Sequence, residues 1–355
     1  MRIPASPSVT LLLLSTLCLS LGACGSSESQ PGPGAEGGAP EGGSGGSSGG
    51  GDSGIAGHAD AGKETGDSGL PVGTVGASGG LLSELSFAVA GDTRPPYTDD
   101  VSGYPTPIIT KIYRDIEAMN PRPPFVVSTG DYQFSSTRSN STASQQIALY
   151  MQARAQYSGA WFPAMGNHEC TGADDSNCGP GNTDGITSNY TAFLTGMLGP
   201  IQKTVPYYSI AVNATDGSWT SKFVFTAANA WDITQQSWLT ATMAQKTTYT
   251  FVIRHEPSTS NGNPAGVAAI DAVLGQYPYT LLLVGHSHTY GHPYRQVVLF
   301  GNGGAPLSGS LTSYGFGTFK RRADGAIVAD EVDYMTGATD SSFHFVITAD
   351  GLLTQ

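Results

Sequence analysis

The chain has 355 residues, with 16 Lys and Arg against 28 Asp and Glu and a formal net charge of −12 at pH 7. Because so few cations cannot neutralise a run of backbone phosphates, the composition argues against nucleic acid as a partner. The length alone is compatible with one large domain or two smaller ones, so the domain organisation has to be taken from the composition along the chain.

Residues 1–23 have the pattern of a secretory signal peptide. Arg2 supplies the positive start, and the apolar core at 11–21 is too short to span a bilayer as a stable helix. The sequence LGAC at 21–24 resembles a bacterial lipoprotein cleavage site, in which Cys24 is lipidated and becomes the new N-terminus. The alternative is an ordinary signal peptide that happens to precede a cysteine. We expect an exported outer-membrane lipoprotein that faces the periplasm or the cell surface, since Gly25 stands where Asp would favour inner-membrane retention.

Residues 24–80 consist mainly of Gly, Ser, Ala and Pro with scattered acids. A segment with almost no large apolar side chain cannot form a core, so we predict a disordered tether. From residue 81 to 355 the pattern changes to short apolar runs separated by polar loops, which predicts a single catalytic domain.

Five apolar runs in this domain predict strands that are buried on both faces. They lie at 86–90, 125–129, 161–165, 250–253 and 279–284. Helices are predicted between them at 107–119, 144–157, 189–198, 234–245 and 264–274. This alternation predicts βα units and a mostly parallel sheet, in which ligands bind beyond the carboxyl ends of the strands.

The C-terminal region has a different pattern. Strands are predicted at 294–300, 310–320, 327–334 and 342–348, and Asp324-Gly325 is a hairpin signal. We expect these strands to complete a second sheet packed on the first.

A polar motif follows each of the five buried strands. The motifs are GDTR at 91–94, GD at 130–131, GNHE at 166–169, His255, and GHSH at 285–288. Carboxylate oxygens, an amide oxygen and imidazole nitrogens, without thiolates, are suitable ligands for two first-row metal ions. A two-metal centre is typical of phosphoester hydrolysis, so the motifs predict a phosphoesterase.

The order of these motifs resembles that of the calcineurin-like metallophosphoesterases. The forms VIRH at 252–255 and GHSH are most similar to the purple acid phosphatase branch, and the resemblance covers about residues 86–290. It implies an α/β fold, a four-layer αββα sandwich of two packed mixed sheets flanked by helices. It also implies hydrolysis of small phosphate monoesters, or of diesters, by a hydroxide that bridges two divalent or trivalent ions of Fe, Mn or Zn.

The resemblance assigns six metal ligands to two sites by position. Asp131 is expected to bridge both ions, since a carboxylate has two oxygens. Asn167, His255 and His286 would complete the second site, and Asp92 and His288 would serve the first.

Two further residues of GNHE take catalytic roles in the resemblance. His168 is expected to contact the phosphate and protonate the leaving oxygen. Glu169 is expected to hold a histidine in one tautomer.

The first metal site departs from the family pattern at two positions. Most members carry a histidine where this chain has Arg94, and purple acid phosphatases carry a tyrosine where it has Phe134. Arg94 either binds the substrate phosphate or weakens metal binding by charge repulsion, and we favour the phosphate role. Without the phenolate we expect a colourless enzyme. The alternative function is a catalytically weakened lipoprotein that binds a phosphate ligand and retains the fold.

Cys170 and Cys178 are the even pair that remains once Cys18 leaves with the signal and Cys24 takes the lipid. In an exported domain such a pair predicts a disulfide, here just after GNHE. The alternative, a thiolate metal site, lacks further soft ligands nearby.

Other polar residues near the motifs have weaker signals. Tyr132 or Gln133 could replace the missing ligand, although Tyr132 points away if strand alternation continues. His292 either lines the pocket mouth or lies on a surface loop, and His344 is expected to be structural. Asp232 is interpreted as a helix cap.

Overall fold

The computed structural model describes residues 71–354, except 139, 260, 261, 263, 295, 310 and 312. The predicted signal peptide, the predicted lipidation site at Cys24 and most of the predicted tether lie outside the described residues. None of the helices described is long and apolar enough to cross a membrane.

Two mixed sheets form the centre of the described part of the chain. The larger has the order β1 (Val75–Gly76), β2 (Gly79–Leu82), β6 (Tyr208–Ala214), β7 (Thr220–Phe225), β8 (Tyr249–Ile253), β9 (Leu281–Val284), β11 (Val297–Phe300), β10 (Tyr290–Tyr294). The smaller has the order β14 (Phe345–Ile347), β13 (Ile327–Asp333), β12 (Gly315–Arg321), β3 (Ser86–Val89), β4 (Phe125–Ser128), β5 (Ala160–Pro163). In the smaller sheet β3, β4 and β5 run parallel up to one edge, and the antiparallel strands β12 to β14 lie on the other side. In the larger sheet β7, β8, β9 and β11 run parallel, with antiparallel pairs on both sides.

The two sheets pack face to face through aromatic side chains. Phe87 of the smaller sheet contacts Phe223 and Phe251 of the larger at centroid distances of 5.0 Å, and it stacks on Phe319 at 4.8 Å. Edge-to-face and offset pairs of this kind each add about 0.5–1.5 kcal/mol beyond the area that they bury. This aromatic cluster therefore fixes the spacing of the two inner layers.

Helices cover the outer faces of both sheets. The helices are α1 (Thr106–Ala118), α2 (Ala143–Arg154), α3 (Ser188–Phe193), α4 (Ile233–Ala244) and α5 (Ala265–Leu274). On the larger sheet Val224 and Val252, whose sequence neighbours point inward, form a separate core with Leu239 of α4 and Ile270 of α5. On the other side Tyr150 of α2 packs on Trp161 of the smaller sheet. The predicted four-layer αββα sandwich is confirmed.

The predicted helices are present, and their sequences explain their positions. In α1 a proline lies in the first turn, where no intrahelical N–H is needed, and Ile109, Ile112, Tyr113 and Ile116 form one buried stripe. At the start of α4 the carboxylate of Asp232 accepts the N–H of Gln235 at 2.7 Å, which confirms the predicted cap. The predicted helix at 189–198 is α3 followed by a π-helical turn at Leu194–Leu198.

The expectation of one mostly parallel sheet carrying all five motif strands is wrong. Strands β3, β4 and β5 belong to the smaller sheet, whereas β8 and β9 belong to the larger. The predicted second sheet of C-terminal strands is divided in the same way, since β10 and β11 join the larger sheet and β12 to β14 join the smaller. A continuous apolar run shows that a strand is buried on both faces, but it does not show which sheet the strand joins.

Five strands were missed by the sequence prediction, namely β1, β2, β6, β7 and β10, of which only Tyr294 lies in the predicted range 294–300. β6 and β7 form a hairpin around Asp216-Gly217, a turn signal of the same kind as the one at Asp324-Gly325. β1 and the first two residues of β2 lie within the segment 24–80 that was predicted to be tether. β2 had no apolar signal because its first residue is Gly79, where an added Cβ would lie 1.7 Å from the carbonyl oxygen of Ala211.

Candidate metal centre

The motif loops of both sheets meet at the carboxyl ends of their parallel strands. The strands and the ligands that follow them are β3 with Asp92, β4 with Asp131, β5 with Asn167, β8 with His255, and β9 with His286 and His288. Backbone hydrogen bonds join the loops, including one from the Asp92 N–H to the Gly130 carbonyl at 3.0 Å and one from the Gly285 N–H to the His255 carbonyl at 2.8 Å. The structure therefore brings all six predicted ligands to one edge.

Four of these ligands have a left-handed backbone. The φ angles are 56° at Asp92, 58° at Asp131, 74° at His286 and 49° at His288. For residues with a Cβ this conformation costs about 1–2 kcal/mol each, and it turns the chain sharply so that the side chain points back over the strand end. Gly130 supports the turn, since a Cβ there would lie 2.6 Å from Nδ1 of His255.

Four donor atoms converge in what we call the second half of the centre, formed by Asp131, Asn167, His255 and His286. The Nε2 atom of His255 lies 3.1 Å from Oδ1 of Asp131, 3.2 Å from Oδ1 of Asn167 and 3.3 Å from Nδ1 of His286. Atoms with lone pairs at this spacing repel one another unless a proton or a cation lies between them. The donor set is all oxygen and nitrogen, which suits Fe, Mn or Zn.

The orientation of these donors is set by the groups behind them. Nδ1 of His255 lies 2.9 Å from the carbonyl oxygen of Thr129, so we assign a proton to Nδ1 and leave Nε2 free to bind. The Asn167 amide donates to the carbonyl oxygen of Gly172 at 2.9 Å, which turns its oxygen toward His255. The ligand atoms are thus preorganised by backbone carbonyls.

The first half of the centre is formed by Asp92, His288 and the second oxygen of Asp131, and its donor atoms are more widely spaced. Nδ1 of His288 lies 2.8 Å from the carbonyl oxygen of Pro306, and its Nε2 lies 3.8 Å from Oδ1 of Asp92. The carboxylate of Asp92 also accepts the backbone N–H of His286 at 2.9 Å. In this half the donors are correctly oriented but lie farther apart than in the second half.

Arg94 and Phe134 stack on each other beside the first half. The Arg94 guanidinium lies 4.8 Å from the Phe134 ring centroid, and its Nε atom lies 3.8 Å from Oδ2 of Asp131. His168 packs edge-on against the same ring at 4.5 Å, with its Nε2 also 3.8 Å from Oδ2 of Asp131. The buried Nε of Arg94 and Nδ1 of His168 have no hydrogen-bond partner among the described residues. A cation and an imidazole therefore face the carboxylate of Asp131 from one side.

The electrostatics of the buried cluster fit a cationic ligand. Burial, reinforced by Asp131, raises the pKa of Asp92 to about 8. Burial also opposes the ionisation of Asp131, but His255 and His168 outweigh it and lower the pKa of Asp131 well below its ordinary value. Burial opposes charge on His255 as well, yet Asp131 raises its pKa well above the ordinary value. Without a metal ion, the proton on Asp92 removes one negative charge and the proton on His255 adds a positive charge, and together they balance the buried carboxylates.

Burial lowers the pKa of His168 to about 3 and that of His288 to about 4. Both imidazoles are therefore neutral at pH 7 in the protein alone. A neutral imidazole is the form that binds a metal, which suits His288. For His168 it means that proton donation requires a partner that favours the charged form.

Glu169 does not hold a histidine tautomer, and that prediction needs correction. Its carboxylate accepts the backbone N–H groups of Asp131 at 3.0 Å, Tyr132 at 2.9 Å and Gly166 at 2.8 Å. Backbone carbonyls already occupy the Nδ1 atoms of His255 and His288, so no place remains for a carboxylate there. Glu169 instead joins the loops that carry Asp131 and Asn167.

Neither Tyr132 nor Gln133 supplies the missing ligand. Tyr132 is fully buried and stacks on Phe193 in the core, as strand alternation predicted. The Gln133 amide donates to the carbonyl oxygen of Asn189 at 3.0 Å. The first half therefore has three protein ligands among the described residues.

Two further histidines, His292 and His344, lie within the described residues. His344 pairs with Asp330 at 2.7 Å on the surface, in agreement with a structural role. His292 stacks on Phe345 at 4.3 Å and lines a cavity of about 780 Å³ that also includes Thr289, the residue after His288. None of the six predicted ligands lines this cavity, so it does not place His292 at the mouth of the metal site, and His292 belongs to strand β10 instead of a surface loop.

The predicted disulfide between Cys170 and Cys178 is confirmed. The loop that it closes carries a residue that the sequence did not single out. Oδ1 of Asp174 lies 3.4 Å from Nδ2 of Asn167 and 3.9 Å from Nε2 of His286. An Asp in a polar loop has no periodic or strand-end signal, and only its place between the two cysteines just after GNHE could have drawn attention to it.

Comparison with known proteins agrees with this geometry. Residues 85–290 match the model of the calcineurin-like phosphoesterase family. The structure is similar to that of the purple acid phosphatase PPD1 from yellow lupin (Lupinus luteus) seeds, with 16% identity, a TM-score of 0.52, and 76% of this chain and 54% of that chain covered. It is also similar to Plasmodium GAP50, described as the anchor in the inner membrane complex, with 15% identity, a TM-score of 0.51, and 76% and 89% covered. Among curated proteins none matches the chain.

Proposed function

This chain belongs to the calcineurin-like phosphoesterase family, and from that premise we propose that it hydrolyses small phosphate monoesters, with diesters as a second substrate class. The proposed cofactors are two ions of Fe, Mn or Zn, held by the six ligands of the two halves. The observation that carries the proposal is the convergence of Asp131, Asn167 and His286 within 3.1–3.3 Å of one imidazole nitrogen of His255. A core of this kind needs a cation, and its backbone partners orient each donor toward one.

When bound, such ions polarise phosphoryl oxygens and activate water at neutral pH. The side chains around the centre would bind the phosphate and donate the proton. Arg94 has an unpartnered Nε beside the centre, and we assign its guanidinium to the phosphate oxygens. This contact would hold the phosphate next to the Asp131 carboxylate and would offset the charge that the substrate brings.

His168 is proposed as the proton donor to the leaving oxygen. Its low pKa in the protein alone follows from burial, and a dianionic phosphate next to Nε2 would favour the charged form. Phe134 packs against both His168 and Arg94, so one ring keeps the proton donor and the phosphate ligand on the same side of the centre.

A metal-dependent hydrolysis screen tests the proposal. The chelated protein is titrated with Mn²⁺, Zn²⁺ or Fe ions and assayed on p-nitrophenyl phosphate and bis(p-nitrophenyl) phosphate. We expect activity to return with metal and to be lost in Asn167→Ala, together with bound metal. His344→Ala removes a histidine outside the centre and serves as the matched control. Full activity of Asn167→Ala would rule out the site assignment.

The second candidate is a phosphate-binding lipoprotein with weakened catalysis. The observation in its favour is the pair of Arg94 and Phe134 in place of a fourth ligand in the first half. Under this alternative the purified protein would contain one ion or none and would bind inorganic phosphate without hydrolysing either nitrophenyl ester at any metal concentration.

We also propose that the protein is exported and anchored in the outer membrane through a lipidated Cys24. The support comes from the signal pattern of residues 1–23 and from a disulfide that suits an oxidising compartment. In cells fed a labelled fatty acid, label should enter the wild-type chain and be absent from Cys24→Ala. Equal labelling of the two would exclude this anchor.

A further inference from the structure

We propose that Asp174 is a positioning residue of the metal centre, and that the Cys170–Cys178 disulfide keeps it in place. The proposal rests on the metal-dependent function above. It concerns the second half, where Asp174 would set the affinity for metal through Asn167 and His286, without binding the ion itself.

One carboxylate oxygen of Asp174 serves two ligands. Oδ1 lies 3.4 Å from the Asn167 amide nitrogen and 3.9 Å from Nε2 of His286. Each contact is to the far side of a ligand, because Asn167 presents Oδ1 and His286 presents Nδ1 to His255. Asp174 therefore favours the orientation in which both donor atoms point to the centre.

The negative charge of Asp174 acts on His286 in addition to the contact that its carboxylate makes. Asp174 favours the tautomer of His286 with the proton on Nε2, which leaves the lone pair on Nδ1 for a metal ion. The side chain of Asp174 is 47% exposed, so we expect that replacing it leaves the packing of the hydrophobic core unchanged.

The loop around Asp174 is fastened at several points. The side-chain amide of Asn229 donates to the carbonyl oxygens of Asp174 at 3.2 Å and Ser176 at 3.1 Å. The N–H of Cys178 donates in turn to the carbonyl oxygen of Asn229 at 2.7 Å. The disulfide then ties Cys178 to Cys170, directly after GNHE. The loop and the strand end that carries Asn167 thus form one unit.

The neighbouring acid provides a matched control. Asp175 is exposed and makes no hydrogen bond or ion pair within the described part of the chain. Asp174→Asn keeps an oxygen that can accept from the Asn167 amide but removes the charge next to His286. Asp174→Ala removes both contacts, and Asp175→Asn changes net charge by the same amount as Asp174→Asn at a position without these contacts.

The first experiment measures metal affinity by calorimetric titration of the chelated protein with Zn²⁺ or Mn²⁺. We expect Asp174→Ala to weaken one of two binding steps by about 10- to 100-fold, the usual effect of losing a partner of a metal ligand. Asp174→Asn should weaken that step less, and Asp175→Asn should match the wild type. A wild-type protein that binds no metal would overturn the proposed function, whereas a wild type that binds with Asp174→Ala unchanged would overturn only the role of Asp174.

The second readout is the ¹⁵N imidazole spectrum of the metal-free protein, which a merely structural role would not move. We expect His286 to be an Nε2–H tautomer in the wild type and in Asp175→Asn, and a mixture of tautomers in Asp174→Ala. An unchanged His286 signal in Asp174→Ala would contradict the assignment.

The role of the disulfide is tested by a double-mutant cycle. Cys170→Ser with Cys178→Ser frees the loop while leaving Asp174 in the sequence. If the disulfide holds Asp174 in place, Asp174→Ala should cost less metal affinity in this background than in the wild type. Strictly additive effects would show that the disulfide acts independently of Asp174.

Discussion

The two halves of the proposed metal centre share one carboxylate but differ in the spacing of their donor atoms and in the groups that support them. In the second half three donor atoms lie within 3.3 Å of Nε2 of His255, and the Asp174 loop supports two of them from behind. In the first half His288 lies 3.8 Å from Asp92, and Arg94 stands where a further ligand would be expected. The two oxygens of Asp131 therefore face different partners, a complete ligand set on one side and a cation on the other.

This difference shows how little is needed to change a two-metal centre. The loops, the left-handed turns and the backbone partners of the histidines are present in both halves. We propose that the side chain at position 94 decides whether the first half takes a fully ligated ion or shares its charge with a guanidinium. We therefore expect the second half to bind metal more tightly than the first.

The largest effect is expected from removing one histidine of each half. His286→Ala should abolish the tight binding step and lower turnover about 1,000-fold, since a bound ion supplies several kcal/mol of transition-state stabilisation. His288→Ala should abolish only the weak step and lower turnover by a similar or smaller factor. Calorimetric titration with Zn²⁺ and the assay of p-nitrophenyl phosphate hydrolysis measure both effects.

The comparison of the halves fails if the two variants lose the same binding step, or if His286→Ala retains the tight step. Circular dichroism of both variants provides the folding control, because neither histidine belongs to the hydrophobic core.

Arg94 gives the next largest effect. Arg94→Ala should raise KM for a phosphate monoester about 10- to 100-fold, the equivalent of losing about 1.5–3 kcal/mol from a charged hydrogen bond. If Arg94 instead opposes metal binding, the weak binding step should become tighter and KM should stay unchanged. Steady-state kinetics at saturating metal separates the two roles.

Arg94→His tests whether a further ligand can be added to the first half. An imidazole at position 94 offers the fourth protein ligand, so the weak step should tighten toward the strong one. Loss of affinity in Arg94→His would mean that the first half cannot accommodate a further ligand at this position.

The pH dependence of stability is a smaller effect. In the chelated protein burial raises the pKa of Asp92 from 3.8 to about 8, so its contribution to stability is full below pH 4 and is lost as the pH rises through 8. The raised pKa of His255, for which Asp131 outweighs burial, gives a contribution that is full below pH 6.5 and lost above it. A bound cation replaces both protons, so the Tm difference between metal-loaded and chelated protein should widen from pH 6.5 to pH 8. A difference that narrows over this range in scanning calorimetry would contradict the assignment of these protons.

The smallest expected effect is the absence of visible colour. Phe134 offers no phenolate to the first half, so the protein loaded with Fe³⁺ should be colourless. A visible charge-transfer band in its absorption spectrum would show that some tyrosine reaches the metal, in conflict with the burial of Tyr132 in the core.

Much of the centre could be predicted because its ligands follow strand ends in a recognisable order. Apolar runs that stop at Gly-Asp, Gly-Asn-His-Glu or Gly-His-Ser-His place the side chains at one edge of a sheet whichever sheet that is. The disulfide followed from the count of cysteines, and the cap at Asp232 from local chemistry. These inferences needed only neighbours in sequence.

The parts that were missed depend on contacts that are distant in sequence. The division of the motif strands between two sheets is set by which faces pack, and this leaves no mark on a fully apolar strand. Glu169 bonds to backbone N–H groups of another loop, and backbone groups have no sequence signature. Asp174 acquires its role only because the chain folds back onto Asn167 and His286.

The left-handed turns at Asp92, Asp131, His286 and His288 mean that the predicted ligands are held in place at a cost to the stability of the protein. Glycine accepts such a conformation freely, so relief of backbone strain and metal binding favour different residues at these four positions. Substitutions to glycine that relieve this strain would therefore remove proposed ligands, and hydrolytic activity would be lost before the fold.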